Sequence, residues 1–181
     1  MSKIVEKKHL QKAMDYESYR KLIDELLLQG KTTGQKQSEQ LTEYASMNVA
    51  RMKTIDKTIE VAPEIKSLIT SVRQHQTWIV LTEGWCRDAA QIVPVLHALA
   101  KLNSNIELKL LLRDDNLDLM DQYLTNGKSR SIPRLISVDS DIMEELFNWG
   151  ASPAIQQSKP DEKTIITQKE IGELVAQHVK I

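Results

Sequence analysis

Two short apolar segments, at residues 77–81 and 106–112, dominate the hydrophobic pattern of the chain. Both are rich in strand formers and bounded by polar residues, which is typical of buried strands. Between them, apolar residues recur at three- and four-residue spacing, which predicts a helix from about 86 to 102. A strand, a helix and a second strand with a right-handed crossover place two parallel neighbours in one sheet. This unit predicts an α/β fold.

The same periodicity predicts further elements on both sides of this unit. Helices are predicted at three places before the first strand: 18–29, 41–55 and 63–72. Pro63 is suited to the first position of a helix, since its missing N–H would be unpaired there. A strand at 134–138 and an antiparallel partner at 142–149 are predicted to follow the second buried strand.

The C-terminal part of the chain is predicted to be a loop followed by one helix. Residues 151–163 are polar and contain two prolines, which is typical of a loop. Thr167 and Glu170 fit a capping box, so the last helix is predicted to begin there.

Composition narrows the classes of protein to consider. The 181 residues are 41% hydrophobic, with 24 basic against 25 acidic side chains. Nearly balanced charge gives no basic face for nucleic acid, and no apolar run suits a membrane span. Residues 1–8 have charges but no apolar segment after them, so no signal peptide is expected. We therefore expect a cytoplasmic protein, with no nucleic acid and no membrane among its partners.

The single cysteine, Cys86, lies where the first buried strand gives way to a helix. The N-terminus of a helix presents unpaired N–H groups and the positive end of the macrodipole, which favour a thiolate. Arg87 is expected to lower the pKa of the thiol and Asp88 to raise it, with a net value below the free value of about 8.5. The alternative is a small buried hydrophobic residue without chemistry.

The residues around this cysteine resemble the thioredoxin family. Trp85 and Cys86 follow a buried strand, Pro94 interrupts the next helix, and Ile132-Pro133 comes well downstream. The resemblance implies a thioredoxin-like fold, a mixed central sheet flanked by helices, in a single domain spanning 1–181. It makes 63–181 the core and 1–62 a helical N-terminal extension. It also implies a cis peptide bond between Ile132 and Pro133, facing the cysteine.

Three departures from the family pattern limit the chemistry. The second cysteine of the family would fall at Ala89, and the Gly-Pro pair of the family is replaced by Arg87-Asp88. The buried acid that many thioredoxins carry in the preceding strand is Val80. These residues leave a monothiol, which needs a second thiol from elsewhere to complete a cycle.

The resemblance thus implies thiol–disulfide exchange or redox sensing through Cys86, on a protein or small-molecule thiol or disulfide. Trp85, Arg87, Asp88, Ile132 and Pro133 are expected to form the site, with no cofactor. The alternative is a redox-inactive module of the same fold that binds a peptide or a protein partner, because fold alone does not choose a function.

Other polar residues carry weaker signals. His97 lies 11 residues after Cys86, about 16 Å along a helix, which is too far for a Cys–His pair. One cysteine and scattered histidines lack the spacing of metal ligands, so no metal is expected. The run Asp114-Asp115-Asn116 favours helix capping over metal binding, because a short helix with Leu117, Met120 and Leu124 is predicted to follow it. The basic residues at 51, 53 and 57 are expected to form a solvated helix face rather than a binding patch.

Overall fold

A computed structural model describes residues 5–181 and contains a four-stranded mixed sheet. The strands are β1 Gln76–Thr82, β2 Ile106–Leu112, β3 Arg134–Asp139 and β4 Glu145–Gly150. Their order across the sheet is β2-β1-β3-β4, with β1 parallel to β2 and antiparallel to β3, and β3 antiparallel to β4. All seven residues of β1 are buried. The predicted mixed sheet, with the 77–81 segment inside it, is confirmed.

Eight α-helices accompany the sheet within residues 5–181. They are α1 Lys7–Lys12, α2 Tyr16–Leu28, α3 Glu39–Thr58, α4 Pro63–Thr70, α5 Arg87–Ala100, α6 Leu117–Met120, α7 Pro153–Gln157 and α8 Pro160–His178. The sequence patterns predicted the helices now labelled α2, α3, α4, α5 and α6. The short helix α1 was not foreseen.

The two faces of the sheet bury different sets of apolar residues. Trp78 and Val80 of β1 point into a large core that includes residues of α5 and α8. Ile79 and Leu81 point to the other face, where a smaller core includes Met120 of α6. Because successive side chains of a strand alternate between faces, an entirely apolar β1 is what a sheet covered on both sides requires.

The N-terminal extension packs on the core beside the end of β1. The hydroxyls of Tyr19 in α2 and Thr82 in β1 share a buried hydrogen bond of 2.9 Å. In α3, the buried amide of Asn48 donates to the Gly84 carbonyl at 3.0 Å. Both contacts reach the segment that leads from β1 to Cys86, so the extension lies next to the candidate site.

The prediction for the C-terminal part of the chain was wrong. Residues 151–163 contain α7 and the start of α8, and the two prolines begin these helices instead of interrupting them. The Ser152 hydroxyl caps α7 by accepting from the Ile155 N–H. Thr167 is fully buried within α8, so it does not cap the helix. The capping glutamate is Glu162, which accepts from the Lys159 N–H at 3.2 Å.

No helix within residues 5–181 combines the length and the apolar character needed to span a membrane. The prediction about a signal peptide concerned residues 1–8, of which 1–4 lie outside the described part of the chain.

Candidate functional site

Cys86 is the N-cap residue of α5, directly after the turn that follows β1. Its backbone is extended, with φ −78° and ψ 119°, and its N–H donates to the Glu83 carbonyl at 3.1 Å. The helix begins at Arg87, so the predicted position of the cysteine at a strand-to-helix junction is correct. Its side chain is half-buried.

The loop before β3 faces the cysteine. The Cys86 thiol donates to the Ile132 carbonyl, with a sulfur-to-oxygen distance of 3.6 Å. The peptide bond between Ile132 and Pro133 is cis. The structure therefore brings Cys86 next to the Ile132–Pro133 loop, although Cys86 and Ile132 are 46 residues apart along the chain.

The electrostatic balance at the thiol differs from the one expected. Burial raises the pKa of Cys86 to about 11, and hydrogen bonds from the backbone of Ala89 and Asp88 only partly offset it. The Asp88 carboxylate raises this pKa further, as predicted, and the Arg113 guanidinium lowers it. The prediction of a pKa below the free value was wrong, because the loss of hydration outweighs the helix N-terminus.

Arg113, a residue that the sequence patterns did not single out, lies beside the site. Its guanidinium carbon is 5.1 Å from the centre of the Trp85 ring, within the range of a cation–π contact. Its Nε donates to the Asp114 carboxylate at 3.0 Å. The parallel register pairs Thr82 with Leu112, so the residues after β1 and after β2 lie side by side. This proximity could have been inferred from the two predicted strands.

Glu83 is a second residue that the sequence patterns missed. It is fully buried, and neither carboxyl oxygen accepts a hydrogen bond of good geometry from residues 5–181. Burial raises its pKa to about 8, and the Asp114 carboxylate adds to this effect. The sequence feature that could have predicted a buried glutamate is its position directly after the apolar strand β1. The raised pKa favours the protonated form of the Glu83 side chain at neutral pH.

A cleft of 690 Å³ opens beside the thiol between the extension and the core. One wall belongs to α3, another to the start of α5, and a third to α7 and α8 with the segment between them. The lining residues are Leu41, Tyr44, Met47, Asn48, Arg51, Trp85, Cys86, Arg87, Asp88, Gln156, Ser158 and Lys163. The site residues predicted after β1 thus share one cleft.

A family model described as thioredoxin matches residues 34–163. The chain belongs to the thioredoxin family. The match includes the Cys86 junction, the Ile132–Pro133 loop and all four strands. It also includes α3, so the matched region begins well inside the segment predicted to be an extension.

Two solved structures share this thioredoxin-family fold. One is a protein of unknown function from Pseudomonas aeruginosa, with a TM-score of 0.61 and 16% identity, and the match covers 92% of each chain. The other is an HIV epitope-scaffold, with a TM-score of 0.59 and 16% identity, covering 91% of this chain and 99% of that one. No curated protein matches the chain. At this identity the likeness concerns the fold alone.

The weaker candidates of the sequence have structural partners away from the thiol. His97 stacks on the Tyr16 ring at 4.1 Å between centroids. The Asn116 amide donates to the Leu112 carbonyl, and no side chain caps α6, so the capping prediction was wrong there. Asp114 instead accepts from the Gln35 N–H at 3.1 Å. Residues 5–181 hold no group of three or more histidine, cysteine or acidic side chains arranged to bind a metal.

Proposed function

We propose that this thioredoxin-family protein carries out thiol–disulfide exchange, or redox sensing, through the single thiol of Cys86. The observation that carries the proposal is the position of the sulfur. It lies at the N-terminus of α5, 3.6 Å from the Ile132 carbonyl, and on the wall of an open cleft. A disulfide in that cleft can approach Cys86, whose sulfur also contacts the neighbouring loop through the Ile132 carbonyl.

The exchange needs two thiols, of which the protein supplies one. Cys86 loses its proton to solvent, and its sulfur attacks one sulfur of the substrate disulfide. The S–S bond of the substrate breaks, a mixed disulfide with Cys86 forms, and the departing thiolate takes up a proton from solvent. A second, external thiol then loses its proton and attacks the substrate sulfur of the mixed disulfide. The S–S bond to Cys86 breaks, a disulfide between the external thiol and the substrate half forms, and the released Cys86 thiolate takes up a proton. A reducing compartment such as the cytoplasm provides such thiols.

The raised pKa sets the speed of the first step. A pKa of about 11 lies roughly 2.5 units above that of a free cysteine, which lowers the thiolate fraction at neutral pH about 300-fold. A more basic thiolate is more nucleophilic. With a Brønsted slope of about 0.4–0.5, each thiolate reacts about 15-fold faster, which offsets part of the loss in thiolate fraction. The net expectation is a reaction roughly 20-fold slower than that of free cysteine, unless binding in the cleft raises the local concentration of the disulfide.

The second candidate is a redox-inactive module that binds a partner in the same cleft. The protonated state of the thiol favours this function, because a thiol that donates to the Ile132 carbonyl behaves as a packing group. In that case the residues that line the cleft, and not the sulfur, would bind the partner.

Mixed-disulfide formation distinguishes the two functions. The protein is incubated with a small disulfide, and the adduct is followed by intact mass spectrometry, with Cys86→Ser as the control without a thiol. The exchange function predicts an adduct on Cys86 that a second thiol removes, with restoration of the free protein. A folded protein that forms no adduct over hours, while a cysteine peptide reacts fully, would favour the binding module.

A further inference from the structure

The wall that α3 contributes gives the cleft the dimensions of a small-molecule site. Its volume of 690 Å³ lies within the range of about 300–1,000 Å³ that is typical of ligand pockets. Tyr44 and Met47 of α3 remain substantially exposed beside it, at 44% and 60% of their full surface. The extension therefore encloses the space next to the thiol and presents apolar side chains to it.

Arg51 is the charged residue that α3 contributes to the cleft, and a series of hydrogen bonds fixes its position. Its guanidinium donates to the Asn48 side-chain oxygen at 2.8 Å. The Asn48 amide, only 2% exposed, donates in turn to the Gly84 carbonyl at 3.0 Å. Gly84 lies two residues before Cys86. The guanidinium is therefore held in a defined position on the wall of the cleft that also contains the thiol.

The charges that line the cleft are unbalanced in favour of cations. Among residues 5–181, neither Arg51 nor Arg87 has a carboxylate within salt-bridge distance, whereas the ammonium of Lys163 pairs with Asp88 at 3.1 Å. Burial lowers the pKa of Arg51, and the positive charge of Arg87, which lines the same cleft, lowers it further. The three cations against one carboxylate leave a surplus of two positive charges beside the thiol.

We propose that Arg51 and Arg87 form an anion subsite that binds a carboxylate of a small disulfide while Cys86 attacks its sulfur. The proposal rests on the exchange function and names its substrate class: a low-molecular-weight disulfide bearing carboxylates. Two guanidinium groups suit this group, because each offers paired N–H donors that match the two oxygens of a carboxylate. The bound anion also relieves the repulsion between the two arginines.

Two chromogenic disulfides test the substrate class on the reacting protein. Dithiobis(nitrobenzoate) carries a carboxylate on each ring, and dithiodipyridine carries none. Their second-order rate constants with Cys86 are each divided by those of a cysteine peptide. For the disulfide that carries carboxylates, Arg51→Gln and Arg87→Gln are each expected to lower this ratio of rate constants about fivefold, and the double variant to lower it at least tenfold. For the neutral disulfide, the ratio should change less than about twofold. Arg87 is exposed, so its single variant tests the proposal without risk to the fold.

The matched control is Arg73→Gln. Arg73 is exposed and lies just before β1, at the opposite end of that strand from Cys86. This variant removes the same charge from the protein and is expected to change neither rate by more than about twofold. An equal loss in Arg73→Gln and Arg87→Gln would mean that net charge alone steers the anionic disulfide, and the subsite would be rejected.

A binding measurement separates the subsite from the exchange reaction. Cys86→Ser has no thiol, so calorimetry with dithiobis(nitrobenzoate) measures binding alone. The subsite predicts binding that weakens about tenfold when both arginines are replaced. If Cys86→Ser binds the anionic and neutral disulfides equally, the subsite is wrong even where Cys86 reacts. If the anionic disulfide binds through the two arginines but the wild-type protein forms no mixed disulfide, the exchange function is wrong and the anion subsite is retained.

Discussion

The ammonium of Lys163 lies 3.1 Å from the Asp88 carboxylate, joining α8 to the first turn of α5 beside the sulfur of Cys86. Lys163 is buried, with 8% of its surface exposed. Asp88 is thus anchored at a point where its charge raises the pKa of Cys86. The family's Gly-Pro pair carries no charge at the matching positions. In this chain the charge at position 88 affects the pKa of Cys86, so a substitution at Asp88 can change that pKa.

Asp88→Asn is expected to make Cys86 more reactive. The substitution removes a negative charge that disfavours the thiolate, and it retains the backbone N–H that bonds to the sulfur. The rate of alkylation by iodoacetamide at about pH 8 should rise about two- to threefold, since part of the gain in thiolate is offset by lower nucleophilicity. Asp141→Asn, at an exposed turn beyond β3, is the matched control and should leave the rate unchanged. A slower reaction in Asp88→Asn would contradict the assigned direction.

Alkylation of the wild-type protein should show an unusual pH profile. Because burial raises the pKa of Cys86 to about 11, the thiolate fraction increases about tenfold per pH unit from about pH 7 to about pH 10. A cysteine peptide, with a pKa of about 8.5, should reach its plateau within that range. The two profiles are measured with the same reagent, and circular dichroism checks that the protein stays folded. A plateau for Cys86 near that of the peptide would show that the thiol is better hydrated than its position implies.

Local patterns predicted the sheet and the placement of the thiol because both depend on neighbouring residues. The apolar run at 77–81 and the helical spacing after Cys86 define a strand-to-helix junction without reference to the rest of the chain. The pKa of the thiol was predicted wrongly because it depends on burial, to which α3 and the loop at Ile132 contribute from far along the chain. Helix α8 was placed too late because Pro160 begins a helix as readily as it interrupts one.

The cleft could not be predicted, because its wall depends on a contact between distant residues. The basic residues at 51, 53 and 57 were predicted to form a solvated face of α3, and Lys53 and Lys57 are exposed. The packing of buried Met52 and the hydrogen bond from Asn48 to the Gly84 carbonyl orient the helix so that Arg51 lines the cleft. No spacing in the sequence reports such a contact.

Glu83→Gln should stabilise the protein at alkaline pH. The folded-state pKa of Glu83, about 8, lies above its ordinary value of 4.5, so the folded state favours the protonated form. The stability linked to that proton is complete below about pH 4.5 and is lost as the pH rises through about 8. Glutamine keeps the shape and cannot ionise. The melting temperature of Glu83→Gln should therefore exceed that of the wild type by about 3 °C or more at about pH 9, with little difference at about pH 5.

The control for this stability experiment is Glu173→Gln, which alters an exposed glutamate of α8. It should follow the wild-type melting curve at both pH values. If Glu83→Gln and Glu173→Gln show the same pH dependence as the wild type, Glu83 is ionised in the folded protein and the proposed protonated state is wrong.

Gly34→Ala should be much more damaging than Gly30→Ala, although both glycines have positive φ, +92° and +69°. A Cβ on Gly30 meets open space, so only the left-handed backbone opposes the substitution, at a cost of about 1–2 kcal/mol. A Cβ on Gly34 would lie 2.9 Å from carboxyl oxygens of both Glu83 and Asp114. Glu83 is buried and Asp114 is held by Arg113, so neither can move aside freely. The free energy of unfolding, measured with urea, should fall by at least about 2 kcal/mol more for Gly34→Ala than for Gly30→Ala. Equal losses would show that the segment before α3 does not pack against the two carboxyl groups as described.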